Sequence, residues 1–323
     1  MNFYIKIISL ENLFTAWEEF IKGKRKRKDI AEFSEDLSSN VYSLHLDLLN
    51  KTYWHDGYHA FNISDPKPRN IHKATVRDRL LHHAVYRVLY PYFDKKFIHD
   101  SYSCRLNKGT HRAMERFKHF SQKVSRNNTK QCWILKCDIK KFFASIDHNL
   151  LRYIVMNYID DKDTNWLISK IVTSFHSAKS GKGLPLGNLT SQLLVNIYMN
   201  EFDQYIKHNL KVKYYIRYAD DFVITMIYRS ELENLLPELR NFLKERLKLS
   251  LNSDKVFIKT LASGIDFLGW VHFPDHRVLR TTTKRRMVKN LSKNYSQETI
   301  ALYHGLLKHG NTYKLREKIR NLY

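Results

Sequence analysis

Hydrophobic positions in the first 55 residues recur at helical spacing, as in FSEDLSSNVYSLHLDLLN (33–50), and predict a helical N-terminal segment. The spacing shortens in YHAFNISDPKPRNIHKAT (58–75), where two short runs flank the Pro-bounded turn DPKPR and predict a pair of strands. Helical spacing returns in VRDRLLHHAVYRVLYPYFDKKF (76–97). SYSCRLNKGTHRAMERFKHFSQKV (101–124) then predicts a loop carrying Gly109 and a basic helix. WILKCDIKKFFASI (133–146) begins as a buried strand and ends in a turn, with a helical region following to about residue 178. The Gly-containing loop GKGLPLGNLTSQ (181–192) leads into a further helix, and YYIRYADDFVITM (214–226) predicts a hairpin. Residues 231–248 read as an amphipathic helix, and KLSLNSDKVFIKT (248–260) and GIDFLGWVHF (264–273) as strands. From about Arg277 a Lys- and Arg-rich helical pattern runs to the end. No repeat or low-complexity linker interrupts the series, which predicts an α+β fold with helices around an antiparallel sheet.

Charge narrows the partner class. The 323 residues carry 55 Lys and Arg against 32 Asp and Glu, a formal net charge of +23. An excess of that size points to a polyanion, nucleic acid before anionic membrane. The run GKRKRK (23–28) is open to two readings, a solvated helix face or a set of phosphate contacts. Hydrophobic residues make up 43% of the chain, with 18 Phe and 20 Tyr, so a folded core is expected and not a disordered tail. No apolar run reaches the roughly 18–20 residues that span a bilayer, and no secretory pattern opens the chain. Cys104, Cys132 and Cys137 form no CxxC or even-numbered framework, so reduced thiols, no zinc site, no membrane and a cytoplasmic location are expected.

The candidate chemistry lies at strand ends. The apolar run ILKCD closes on Asp138, and the hairpin at 214–226 sets Asp220 and Asp221 at its tip. Each aspartate alone reads equally well as a cap or turn former. Together they are three carboxylates on two strand ends that a single sheet would join. Such a set can hold two Mg²⁺ ions, or Mn²⁺ in their place, about 3.5–4 Å apart, the arrangement that clamps attacking and leaving oxygens in phosphoryl transfer. With the net charge, such a set predicts the site of a polymerase.

The order of motifs resembles that of reverse transcriptases over nearly the whole chain. YADD (218–221) looks like the family's Tyr-x-Asp-Asp box, and CDIKKFF (137–143) like its first catalytic-aspartate motif. DPKPR with VRDRLLHHAV resembles the fingers motif, and SYSCRLNKGTHRA the segment after it. LSLNSDKVFI is similar to the Asn-x-x-Lys strand, and FLGW to the primer-grip hairpin. The resemblance implies a right-hand polymerase: an N-terminal helical basic extension over 1–57, fingers over 58–135 with part of the palm interleaved, a palm over 136–275 with 165–190 partly fingers, and a helical thumb over 276–323. It also implies roles. Asp138 and Asp220 would ligate the metals with Asp221 assisting. Phe143, five residues after Asp138, would be the steric gate against a ribose 2′-hydroxyl. Lys67 and Arg69 would grip the incoming triphosphate, where a turn cation beside proline is the plain alternative. Lys255 would protonate the departing pyrophosphate, or be an ordinary surface lysine. Gly269 would let the primer backbone approach, or be a plain strand glycine.

The stretch GLPLGNLTSQ (183–192) separates branches of the family. Accurate reverse transcriptases and group II intron proteins usually carry Gln-Gly and then Ser-Pro here, whereas this chain has Leu186-Gly187 and Ser191-Gln192. That pattern resembles diversity-generating retroelements of bacteria and phages, whose copying is error-prone at template adenines. Leu186, Gly187 and Gln192 would then lie by the nascent pair, and an aliphatic Leu186 would remove a polar contact that holds base and nucleotide in register. Leu186 as a packing residue with ordinary fidelity is the other reading. The resemblance implies an RNA template, an RNA/DNA primer duplex, dNTPs and a small basic helical accessory protein that forms a ring. The thumb's charge suits a duplex read by shape and 2′-hydroxyls. A defence-associated, antiphage reverse transcriptase copying its own noncoding RNA is the first alternative. A non-catalytic nucleic-acid-binding module on the same fold is the second. Retron, group II intron and retroviral enzymes fit less well, lacking matches to a Val-Thr-Gly element, a DNA-binding and endonuclease region, or an RNase H domain respectively.

Overall fold

A computed structural model describes residues 2–64, 68–293 and 296–321. In chain order, α1 (Phe3–Ile8), α2 (Leu10–Ile21), α3 (Lys28–Glu35) and α4 (Leu37–Leu49) precede a hairpin of β1 (Tyr58–Ile63) and β2 (Arg69–Ala74). Next come α5 (Val76–Asp94), α6 (Thr110–Val124), β3 (Trp133–Asp138), α7 (Phe142–Ser145), α8 (His148–Tyr158), α9 (Lys162–Thr173) and α10 (Leu189–Gln204). Strands β4 (Tyr215–Tyr218) and β5 (Asp221–Met226) lead to α11 (Arg229–Leu247) and β6 (Phe257–Thr260). Short strands β7 (Ile265–Phe267), β8 (Trp270–His272) and β9 (Arg277–Leu279) are followed by α12 (Thr281–Lys293), α13 (Gln297–Leu307) and α14 (Tyr313–Asn321).

The chain divides into two compact units built from discontinuous segments. The first comprises Met1–Ile98, Ile139–Tyr205 and Phe242–Ser250, and the second His99–Asp138, Ile206–Asn241 and Leu251–Tyr323. In the first unit α5 packs against α1, α2 and α10. Its start is fixed by Thr75, whose hydroxyl accepts from Asp78 N, and by the buried Asp78 carboxylate. That carboxylate accepts from Tyr53 Oη (2.7 Å), Asp56 N (3.0 Å) and Thr75 Oγ1 (2.8 Å). Three donors offset the desolvation that a buried charge would otherwise cost. The β1–β2 hairpin is tied to α3 through Asp29, which pairs with Lys73 (2.6 Å) and Arg79 (2.5 Å).

The second unit is organised by a four-stranded antiparallel sheet of order β4-β5-β3-β6. Alternation along β3 and β5 sends Ile134 and Val223 to one face, where they join Ile216 and the apolar stripe Ala113, Phe117, Phe120 and Val124 of α6. Full burial of a side chain such as Phe117 stabilises by about 2–3 kcal/mol. A separate three-stranded sheet, β7-β8-β9, carries Trp270 and Leu279 into a cluster with Met287, Leu291, Leu307 and Ile319 of the C-terminal helices.

Two sequence expectations are corrected here. The stretch 248–260 is strand only over β6, because the Asn252 side chain accepts from Asp254 N and starts a 3-10 turn at Ser253–Lys255. The helical pattern read from Arg277 starts later, since Arg277–Leu279 is the third strand of the small sheet, paired with β8.

Candidate active site

Strand register assembles the acids. β3 and β5 are antiparallel with Asp138 directly opposite Asp221, so the two carboxylates leave the same face of the sheet at the same level. Tyr218 pairs with Asp221 across β4 and β5, leaving Ala219 and Asp220 as the connecting turn. Ala219 has φ 55°, a left-handed conformation disfavoured for a residue with a Cβ. Arg217 supports this turn from a fully buried position: Nη1 donates to the Ala219 carbonyl (3.1 Å) and Nη2 to Ser101 Oγ (3.1 Å).

Two lysines answer the acids. Lys255 Nζ lies 2.8 Å from both oxygens of Asp138. It is aimed there by the 3-10 turn, and Asn252 N donates to the Asp138 carbonyl (2.8 Å), fastening the turn to the strand end. Lys136, two residues before Asp138 and therefore on its face, places Nζ 3.5 Å from Asp221 Oδ1. Lys136 and Arg217 were not singled out from the sequence. A lysine inside the apolar run ILKCD was the available signal, since a buried ammonium demands a partner.

Burial pushes the Asp220 carboxyl up to about 6, and the charges of Asp221 and Asp138 add to the effect. Burial also raises Asp221, against the pull of the Lys136 ammonium. For Lys255 burial works toward the neutral amine but is outweighed by the hydrogen bond and charge of Asp138, so its pKa is raised. Among the described residues no group of three or more His, Cys, Asp or Glu side chains is arranged as a metal site as it stands. The donors nonetheless suit a hard divalent cation. They are carboxylate oxygens, they repel one another, and the buried Asp221 Oδ1 has the Lys136 ammonium no nearer than 3.5 Å.

Asp138, Asp220, Asp221 and Lys255 thus come together within the second unit. Gly269 belongs to that unit as well, in the two-residue β7–β8 turn with Leu268 (φ 53°) and Gly269 (φ 87°). That is the primed geometry that matches strand twist, and a Cβ at Gly269 would meet only Thr283 Oγ1 at 4.0 Å, so the turn's outer side is open. Arg69, Phe143, Leu186, Gly187 and Gln192 belong to the first unit, and Lys67 lies outside the described residues. There, Leu184 N donates to the Phe143 carbonyl (2.9 Å) and His72 N to the Leu186 carbonyl (3.2 Å). Asn188 Nδ2 donates to the His72 carbonyl (3.0 Å). These bonds join the start of α7, the 184–188 loop and β2 into one framework. Gly187 sits at φ 102° within it, where a Cβ would lie 2.9 Å from Ile71 Cγ2. Half-buried Gln192 is in the first turn of α10, and exposed Arg69 opens β2.

The sequence model of the family described as "Reverse transcriptase (RNA-dependent DNA polymerase)" matches residues 63–272, more than half the chain. The chain belongs to the reverse transcriptase family. Protein YkfC of Escherichia coli (strain K12) is 28% identical over 258 residues, covering 68% of this chain and 66% of that protein. The putative COX1/OXI3 intron 2 protein of Saccharomyces cerevisiae is 22% identical, covering 77% of this chain and 36% of its own length. The group II intron-encoded protein LtrA of Lactococcus lactis subsp. cremoris is 25% identical, covering 72% and 49%. The chain therefore spans less than two thirds of the length of these relatives. Among solved structures, apo telomerase from Candida tropicalis matches with a TM-score of 0.51 at 10% identity, over 68% of this chain and 48% of that one. At that identity the likeness concerns the fold, which is the α+β right-hand polymerase fold of the family.

Proposed function

We propose that this reverse transcriptase is an RNA-directed DNA polymerase that copies a dedicated structured RNA into cDNA by two-metal nucleotidyl transfer, in a diversity-generating retroelement. The observation that carries the chemistry is the register that faces Asp138 with Asp221 and puts Asp220 in the adjoining turn. Bound at these oxygens, divalent ions would neutralise a triphosphate and make a primer 3′-hydroxyl easier to deprotonate. Asp138, Asp220 and Asp221 would hold them. Lys255, standing beside Asp138, would give a proton to the leaving pyrophosphate. Arg69 would offer a fork to phosphate oxygens, and the Phe143 ring would exclude a 2′-hydroxyl.

The retroelement assignment is supported by Leu186-Gly187 in the loop that is bonded to β2 and Phe143, and by Ser191-Gln192 in the first turn of α10. An aliphatic side chain at 186 supplies no hydrogen bond to a nucleotide, which weakens discrimination between competing pairs. This reading carries with it an RNA template, a primer, dNTPs and a small basic helical partner that forms a ring. The test is Mg²⁺-dependent dNTP incorporation by protein purified with its bound RNA, with the cDNA sequenced and Asp220→Ala as control. Errors concentrated opposite template adenines, reduced by Leu186→Gln, are expected. Accurate or repetitive cDNA from one noncoding RNA would assign the chain to antiphage defence instead, and no product from any primer would point to a non-catalytic binding module.

A further inference from the structure

Lys136 and Lys255 neutralise the same acid cluster from positions with different freedom. The Lys255 side chain is 45% exposed and stands on a three-residue 3-10 turn. Its ammonium spans both oxygens of Asp138, the same atoms a divalent ion would need. The Lys136 side chain is 9% exposed, and its strand is paired on both sides, opposite Val223 of β5 and Phe257 of β6. Lys255 can swing its ammonium into solvent if another cation takes over the buried Asp138 carboxylate, whereas the Lys136 ammonium, enclosed in the sheet, cannot leave Asp221 without losing the compensation for its own burial.

We infer that Lys255 is a stand-in cation that a divalent ion displaces from Asp138, whereas Lys136 is a permanent counter-ion that stays with Asp221 whether or not the ion is bound. The inference rests on the two-metal reading above and deepens it. The exchange breaks no covalent bond: the Lys255 ammonium releases Asp138 with its three protons and turns to the open side of the site, where a phosphate could meet it, and the ion takes the vacated carboxylate. Lys136 has a second consequence. Its charge supports an ionised Asp221 but repels any ion beside it, so it sets the site to bind divalent ions less tightly than three bare carboxylates would.

Lysine footprinting reads this directly. The full chain is acetylated briefly with an amine-reactive ester, without metal and with saturating Mg²⁺ or Mn²⁺, and modification at each lysine is measured by mass spectrometry. Lys255 is expected to gain several-fold in reactivity with the ion, and Lys136 to stay protected in both states. Unchanged Lys255 reactivity at saturation, or exposure of Lys136, would overturn the inference. In parallel, Mn²⁺ binding is titrated by electron paramagnetic resonance. Lys255→Met removes the competitor and Lys136→Met the repulsion, and each is expected to tighten Mn²⁺ binding on the order of tenfold. Lys136→Met should also lower the metal-free melting temperature, with added Mn²⁺ restoring it. Wild-type affinity in both variants would refute the counter-ion roles while leaving the metal site intact. A wild-type chain that binds no Mn²⁺ would instead remove the two-metal reading, and this inference with it.

Discussion

His272 ties the stability of the second unit to pH, and the size of the effect follows from its surroundings. The side chain is 3% exposed, beside Phe117 (ring centroids 5.1 Å apart), and Nε2 donates to the Phe267 carbonyl (3.2 Å). Burial lowers its pKa from 6.5 to about 4; the carbonyl and Glu115 oppose the shift, and the Arg277 cation reinforces it. Folded His272 therefore takes up a proton less readily than unfolded His272. Its contribution to stability is complete above pH 6.5 and is lost as the pH falls through about 4. At pH 5 the loss is about 2 kcal/mol, rising to about 3 kcal/mol below both values. The assay is urea unfolding of wild type and His272→Phe near pH 7.5 and pH 5, followed by tryptophan fluorescence, for which Trp270 on the same strand is a local reporter. Hydrogen exchange of a peptide covering 265–279 gives a second readout. His272→Phe costs stability at neutral pH through the lost hydrogen bond, but between the two pH values it should lose about 2 kcal/mol less than wild type. Equal losses in the two proteins would show that His272 is not held neutral by burial, and the reasoning would fail.

Other expectations are as direct. Gly310→Ala would drive a Cβ into the Trp270 ring and to 2.8 Å from the Arg277 carbonyl oxygen, so it should destabilise the C-terminal helices by about 1–3 kcal/mol, seen as earlier proteolysis after residue 281. Gly187→Ala combines a left-handed backbone with the 2.9 Å approach to Ile71, and should cost about 1–3 kcal/mol and speed hydrogen exchange in β2. If the Phe143 ring is the gate, Phe143→Ala should raise ribonucleotide over deoxynucleotide incorporation by about tenfold or more in single-nucleotide extension. An unchanged ratio would assign the gate elsewhere.

The site's acids were legible because strand alternation is a local signal. In ILKCD every second residue faces the same way, so an aspartate closing the run declares its side of the sheet before any partner is known. The same logic should have flagged Lys136, but its partner Asp221 is remote in sequence and no local pattern names it. Arg217 was hidden for a similar reason, since one of its acceptors, Ser101, lies on a different segment. The strand expected across 248–256 failed at a single side chain, Asn252, whose cap on Asp254 N overrides alternation and in doing so aims Lys255. β9 was absorbed into a helix because three residues are too few to show a period, and only the edge of β8 makes them a strand. The two units were not readable from a linear scan, because each is assembled from three separated segments.

The strand order of the main sheet also sets an order of events during synthesis. β3 is the first of its four strands to leave the ribosome, yet it lies between β5 and β6, which begin at Asp221 and Phe257. Until those segments follow, both hydrogen-bonding edges of WILKCD have no native neighbour, on a stretch whose side chains end up almost wholly buried. At translation rates of about 5–20 residues per second that is a wait of several seconds with an adhesive strand in the open. Asp138, the first acid of the candidate site, is thus made early and remains without its partners until most of the chain has emerged. Late truncation, stalled translation or scarce chaperone would consequently yield aggregate before it yielded a partly assembled sheet.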